Sequence, residues 1–355
     1  MISPYADLPP QAFWQTGVAN QTPAAIDGLY KKKFSIDRTM RIATAGSCFA
    51  QHITQYLRKR RFSVIDEEPP PPGLDAAAAR RFGYGLYSAR YANIYTTRQL
   101  RQFAQEALGE FCPADAIWEK DGRYYDAMRP SVEPSGLSSP EVVLDHRACH
   151  LQRVLRVLRA ADVFIITLGL TEAWEHAPSG TVYPTAPGTV AGKFDPAIHR
   201  FHNFNFKEVY EDLSTFFEFV RKIKKDTRFV LSVSPVPLTA TASEEHVLRA
   251  TTYSKSILRA VAGQLYHERA DVDYVPSYEL ITSSLSRGQY FAENLRTVRP
   301  EGVEAAMKMF FAQHDGGRKP APAAPATTNS SDVQQDITAE EDVLCEEALL
   351  EAFAS

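Results

Sequence analysis

Cysteine is scarce in this chain of 355 residues: Cys48, Cys112, Cys149 and Cys345 stand far apart, with no C-x-x-C pair. That spacing excludes a disulfide framework or a zinc site and reads as the reduced thiols of a cytoplasmic protein. Long apolar runs are missing too; none approaches the ~20 residues that span a membrane. The N-terminus, MISPYADLPP, has no basic region followed by an apolar stretch, so no signal peptide is expected. Nor is there an excess of one charge. Lys and Arg number 39 against 43 Asp and Glu, a net charge of −4, which gives no basic field for nucleic acid. What is present is ordinary: 44% hydrophobic and 23% charged residues, in a chain long enough to bury a full core. A wholly disordered or collagenous chain is excluded, and neither a metal nor an organic cofactor is expected.

The hydrophobic pattern alternates between two periods. Arg41–Ala45 reads as a short buried strand, Gly46-Ser47 as a turn, and Cys48–Arg61 as a helix, with Phe49, Ile53, Tyr56 and Leu57 at helical spacing. A second strand is expected at Phe62–Ile65, before Pro69–Pro72 stop regular structure. Residues 117–127 resemble a hairpin around Asp121-Gly122. Three further pairs follow: helix 140–160 before strand Val163–Leu168, helix 207–225 before strand Phe229–Val233, and helix 245–268 before strand Val272–Val275. A final helix covers 300–313. Alternating strands and helices imply an α/β fold with a central parallel sheet between helical layers. Residues 1–40, rich in proline and aromatics, form an irregular arm, and the main domain runs from 41 to 314. Residues 315–337 are a Pro/Ala/Ser/Thr linker expected to be disordered. An acidic tail helix, 338–355, opens on the capping-box pattern Thr338–Glu341; it is expected to dock on a partner protein or back on this chain.

Ligands of open parallel sheets bind beyond the carboxyl ends of the strands. There the chain places Gly46-Ser47-Cys48, then Gly169-Leu170-Thr171-Glu172 with Trp174, then Ser234-Pro235, then Pro276-Ser277. Ser47, between a strand and a helix, stands at the positive end of a helix dipole. It is either a nucleophile or a helix N-cap. Cys48 is a competing nucleophile. His146 and His150 lie one turn apart and are either metal ligands or solvated helix-face residues.

Gly46-Ser-Cys-Phe-Ala50 resembles the signature of the GSCFA family, a branch of the SGNH (GDSL-like) hydrolases. Asn93-Ile-Tyr-Thr96, Leu168–Glu172, Phe201-His-Asn-Phe204, Ser234-Pro-Val236 and Tyr253-Ser-Lys255 are similar to that family as well, so the resemblance spans about residues 5–312. It implies a three-layer α/β/α SGNH-like fold with Ser47 as nucleophile. It also implies an oxyanion hole from the Ser47 amide, Gly83 or Gly85, and Thr171, which stands where the superfamily has asparagine. Gly169, Glu172, Trp174 and Asn203 are the implied substrate contacts. The superfamily's Asp-x-x-His block corresponds here to Asn294 and Thr297, neither of which serves as a base near neutral pH. His202 is the candidate base in their place, or else a hydrogen-bonded packing residue. The implied activity is ester hydrolysis or O-acyl (acetyl) transfer on a small-molecule or bacterial glycan ester. The alternatives are a binding protein that has lost turnover and a scaffold that recruits a partner through its acidic tail.

Overall fold

The computed structural model describes residues 3–23, 26–314 and 345–354. It divides into two compact units, one built from Met1–Asp37 with Val275–Asp342, the other from Arg38–Tyr274 with Val343–Ser355.

The larger unit is a mixed α/β body around four parallel strands: β1 (Ile42–Gly46), β4 (Val163–Leu168), β8 (Arg228–Val233) and β9 (Val272–Tyr274), in the order β1-β4-β8-β9. Every residue of β1, β4 and β9 is buried, as a strand covered on both faces requires. The flanking helices are α1 (Phe49–Lys59), α2 (Ala76–Arg81), α3 (Thr97–Ala107), α4 (Pro140–Ala160), α5 (Phe206–Ile223) and α6 (Val247–Glu268). Their starts follow capping chemistry: Ser139 caps α4 ahead of Pro140, and Asn205 with Glu208 forms a full capping box on α5. Behind the sheet, Phe217 stacks on Phe229 at 4.1 Å between centroids, and Phe164 meets Phe216 edge-on at 5.5 Å.

The strand expected at Phe62–Ile65 is reduced to one parallel bridge between Val64 and Ile42. The Val64 amide turns back to Phe62 O, and only Ser63 O and the Ile65 amide reach Ile42, so the ladder cannot extend. Counting this fragment, the spatial order is 2-1-3-4-5, which reverses direction between β1 and β4. That gap is the topological switch point.

Two antiparallel elements decorate the sheet. The hairpin β2 (Ile117–Lys120) and β3 (Arg123–Asp126) turns on Asp121 and Gly122, both with φ above +50°, as a tight two-residue turn demands. A three-stranded sheet in the order β6 (Thr181–Tyr183), β5 (Glu172–His176), β7 (His199–Asn203) follows β4 directly. The chain's end is a 3-10 helix, Glu346–Phe353, rather than an α-helix. The linker 315–337 and the Thr338–Glu341 capping box fall outside the described residues.

In the smaller unit α7 (Ser277–Thr282) and α8 (Pro300–His314) join the N-terminal arm. Tyr30 stacks on Phe310 and its hydroxyl lies 2.8 Å from His314 Nε2, while the Ile36 amide donates to His314 Nδ1. Since Nδ1 accepts, the neutral ring carries its proton on Nε2 and donates to Tyr30. Burial holds His314 down near 4, helped by the charge of Lys32.

Candidate active site

Gly46 ends β1 at φ +136°, and a Cβ there would fall 2.3 Å from Thr167 O of β4. Only glycine fits, and its absence of side chain lets β1 run against β4 up to the switch point. Ser47 follows at once. Its carbonyl accepts from the Ala50 amide in the first turn of α1, and its amide donates to Thr167 O at 3.1 Å. Its hydroxyl is buried and, among the described residues, has no hydrogen-bond partner. Helix α1 has no side-chain cap, so Ser47 is not spending its hydroxyl on capping. Cys48 is a buried thiol beside it.

Beyond β4, Gly169 lies against Ser47: a Cβ on Gly169 would sit 3.0 Å from Ser47 Cβ and 2.8 Å from Tyr95 O. Helix α6 holds this turn from behind. Lys255 Nζ donates to Gly169 O at 2.6 Å, and Ser254 Oγ accepts from the Thr171 amide at 2.9 Å. The Tyr253-Ser-Lys255 stretch is thus a buttress for the Gly169–Thr171 turn. Segment 93–95 closes the third side: Ile94 N bonds Gly46 O, and Leu170 N bonds Tyr95 O. Tyr87 OH reaches Ser47 O at 3.0 Å and Asn93 Oδ1 at 2.6 Å.

The other residues singled out from sequence are dispersed. Thr171 is fully buried and gives its hydroxyl proton to Asn203 Oδ1 at 2.7 Å. Gly85 adopts φ +71°, and its carbonyl accepts from Arg58. Glu172 accepts from Thr241 at 2.8 Å; burial pushes its carboxyl up, only partly offset by that bond. Trp174 packs edge-on against Phe194 and Phe201 and lines a pocket of ≈350 Å³ together with Tyr95, Leu170 and Tyr183. His202 stacks on Phe204, with Nε2 2.9 Å from Glu208 and Nδ1 3.5 Å from Glu175. Both ring nitrogens therefore face carboxylates.

Asn93, Tyr95 and Ser131 are the polar side chains that sequence reasoning did not assign. Asn93 Nδ2 donates to Glu346 of the C-terminal helix at 2.5 Å, Tyr95 OH donates to the same oxygen at 2.7 Å, and Ser131 Oγ bonds the other. The one available signal was the Asn93–Thr96 stretch; Ser131 carried none.

The loop that bears Asn93 rests on a buried ionic cluster. Arg90 N donates to Glu68, and Arg129 donates to Arg90 O. Asp126 pairs with both Arg129 and Arg147 at 2.7 Å, Arg147 also holds Glu106, and His150 Nδ1 bonds Glu68 at 2.7 Å. Burial works against the Glu68 charge, but His150 and Arg129 outweigh it and hold the carboxyl down near 2. Burial and the charge of Arg129 hold His150 down near 4 against the pull of Glu68. The imidazole is neutral, with its Nδ1 proton donated to Glu68. His146 is exposed while His150 is buried, so these two neither pair as metal ligands nor share a solvated face. Among the described residues no cluster of metal-binding side chains occurs, and no helix is long and apolar enough to cross a membrane.

The model of the GSCFA family matches residues 41–310. No curated protein matches the chain. Among solved structures, the family 3 carbohydrate esterase of Clostridium thermocellum aligns at 8% identity and TM-score 0.34, covering 77% of this chain and 94% of its own. A protein described as a GDSL-like lipase from Parabacteroides merdae aligns at 12% identity and TM-score 0.34, over 80% of this chain and 99% of its own.

Proposed function

Since the chain belongs to the GSCFA family, we propose that it is an ester hydrolase or O-acyl transferase whose nucleophile is Ser47. One observation carries the reading: a buried serine hydroxyl, free of any hydrogen bond, stands at the switch point of a parallel sheet. A buried polar atom left unpaired costs about 1–3 kcal/mol, so a structural serine would be expected to find a partner. In the proposed step the Ser47 oxygen attacks an ester carbonyl and loses its proton to a base. The alcohol leaves with a proton, and water or a second hydroxyl then takes the acyl group. His202 is the proposed base, its ring nitrogens lying 2.9 Å from the carboxylate of Glu208 and 3.5 Å from that of Glu175. The Ser47 amide, Gly85 and Thr171 are the proposed oxyanion donors, the Ser47 amide and the Thr171 hydroxyl after exchanging or sharing their present bonds to Thr167 O and Asn203 Oδ1. Gly169, Glu172, Trp174 and Asn203 are the proposed substrate contacts, and the aromatic wall of Trp174, Tyr183 and Phe201 favours a flat ligand such as an acylated sugar ring.

The second reading, a binding protein without turnover, is favoured by the same hydroxyl: among the described residues nothing contacts it that could remove its proton. A fluorophosphonate probe separates the two. Attack by Ser47 would form the Ser47 oxygen–phosphorus bond and release fluoride, with the serine proton passing to the base. The expected result is stoichiometric labelling of wild type at Ser47, read by mass spectrometry, and none in Ser47→Ala. Absence of labelling in wild type, with no turnover of p-nitrophenyl acetate, selects the binding protein. Labelling at Cys48 instead moves the nucleophile by one residue.

A further inference from the structure

The carboxylate of Glu346 is almost fully buried, at 4% exposure. A buried carboxylate is tolerated only where its oxygens are hydrogen-bonded. Three neutral donors, from Asn93, Tyr95 and Ser131, share its two oxygens. They are also set in advance. Asn93 Oδ1 accepts from Tyr87 OH at 2.6 Å and from Gln51 Nε2 at 3.0 Å, which fixes the amide plane and turns Nδ2 outward. Burial pushes the Tyr87 phenol far up, so it stays a donor. Tyr95 OH accepts from Asn93 Nδ2 at 3.2 Å, which leaves its own proton for the carboxylate. The cradle thus matches an acceptor-only group and does not depend on the tail to orient it.

Leu349 is 48% exposed and Phe353 is 71% exposed. Leu350 and Phe353 contribute only to the wall of the ≈350 Å³ pocket that Tyr95, Trp174 and Tyr183 line on the other side. Among the described side chains of the C-terminal helix, Glu346 is seated in the cradle and Leu350 and Phe353 line the pocket.

We propose that Asn93, Tyr95 and Ser131 form a carboxylate-recognising subsite adjoining the aromatic pocket, which takes an acidic amphipathic peptide segment. The chain's own residues 346–354 hold that place in cis. The subsite shares the Asn93–Tyr95 segment with the surroundings of Ser47, and a ligand of this class gains entry by displacing the tail. The proposal concerns binding alone and stands whether or not Ser47 turns over an ester.

The test uses the full chain and an N-acetylated peptide of residues 346–354, with binding measured by calorimetry. In wild type the tethered tail competes at an effective concentration of about millimolar. Releasing it with Glu346→Ala, Leu350→Ala and Phe353→Ala together is expected to tighten peptide binding by about 10-fold or more. A peptide with glutamine in place of Glu346 is expected to bind the released chain about 10-fold more weakly, because an amide cannot accept at both positions. Asn93→Ala in the released background is expected to abolish binding; as Asn93 also anchors Tyr87 and Gln51, Ser131→Ala provides the cleaner variant, with a several-fold loss. Equal peptide affinity in wild type and released chain overturns the proposal, as does equal affinity of the glutamate and glutamine peptides.

Discussion

Two polar regions lie on either side of the loop that carries Asn93, and they are built on opposite rules. The ionic cluster of Glu68, Glu106, Asp126, Arg129 and Arg147, with the neutral His150, is saturated, each group meeting a complementary partner. The switch-point side keeps the hydroxyl of Ser47 without a partner among the described residues, and fills its donor cradle with a carboxylate from a distant part of the chain. A saturated buried network fixes position, since breaking one partner strands another. An unsatisfied group or an exchangeable occupant fixes nothing and is kept at some cost. The contrast marks the cluster as scaffold and supports the proposal that chemistry or binding takes place at the switch point.

The largest expected effect breaks the scaffold side. Arg147→Met strands Glu106 and removes one of two cations on Asp126, which should cost about 3–5 kcal/mol in urea denaturation. Ser47→Ala removes a hydroxyl that bonds nothing and should change stability by less than about 0.5 kcal/mol, or raise it. A Ser47→Ala loss as large as that of Arg147→Met would erase the distinction.

Acid should weaken the scaffold before the switch point. His150 is held near 4 in the folded chain and titrates near its ordinary 6.5 when unfolded. The unfolded state therefore binds the extra proton first, and stability falls as pH drops from about 6.5 to 4. Glu68, held near 2, adds to the loss as pH falls below its unfolded value of 4.5. Both shifts have the same sign. The unfolding free energy of wild type should decline across this window, by up to about 3 kcal/mol from His150 alone. His150→Gln, which can still donate to Glu68, should remove its share of the decline between pH 6.5 and 4.5, leaving the share of His314, also held near 4, and the loss below 4.5.

The scaffold was legible in the sequence where periodicity is strong. Strands β1, β4, β8 and β9 and helices α1, α4, α5 and α6 follow apolar runs or 3.6-residue spacing, and the Asp121-Gly122 hairpin follows from turn chemistry. The sheet of β5, β6 and β7 was not anticipated, because strands of three to five residues carrying Glu and His give little alternation to read. Helix α4 was recognised, but not that its His150 points inward, since a charged partner such as Glu68 lies 82 positions away. The pairing of Ser47 with Gly169 could be read from strand ends. The cradle could not: residues 93, 131 and 346 meet only through tertiary folding, and no local spacing announces it.

The smallest expected effect concerns Asn294 and Thr297, which the family resemblance sets against the superfamily's acid and base. Within the smaller unit they bond each other, Asn294 Nδ2 to Thr297 Oγ1 at 2.9 Å. Asn294 Oδ1 also accepts from the amides of Arg296 and Thr297, at 3.0 and 2.9 Å. This is the geometry of an Asx turn, in which the side chain stands in for a backbone carbonyl. It shapes a loop in which Leu295 sits at φ +55°. Asn294→Ala removes both amide acceptor bonds and should cost about 1 kcal/mol, the typical worth of such a bond in an exposed turn. Asn294→Asp keeps an oxygen at the same place and should cost less than half of that at neutral pH. Equal losses for the two variants, measured by urea denaturation, would show that the Nδ2 bond to Thr297 rather than the turn holds the loop. That outcome would return the pair to consideration as a functional unit, whereas the expected ranking makes it a turn device like the saturated cluster, fixed by its partners and kept for shape.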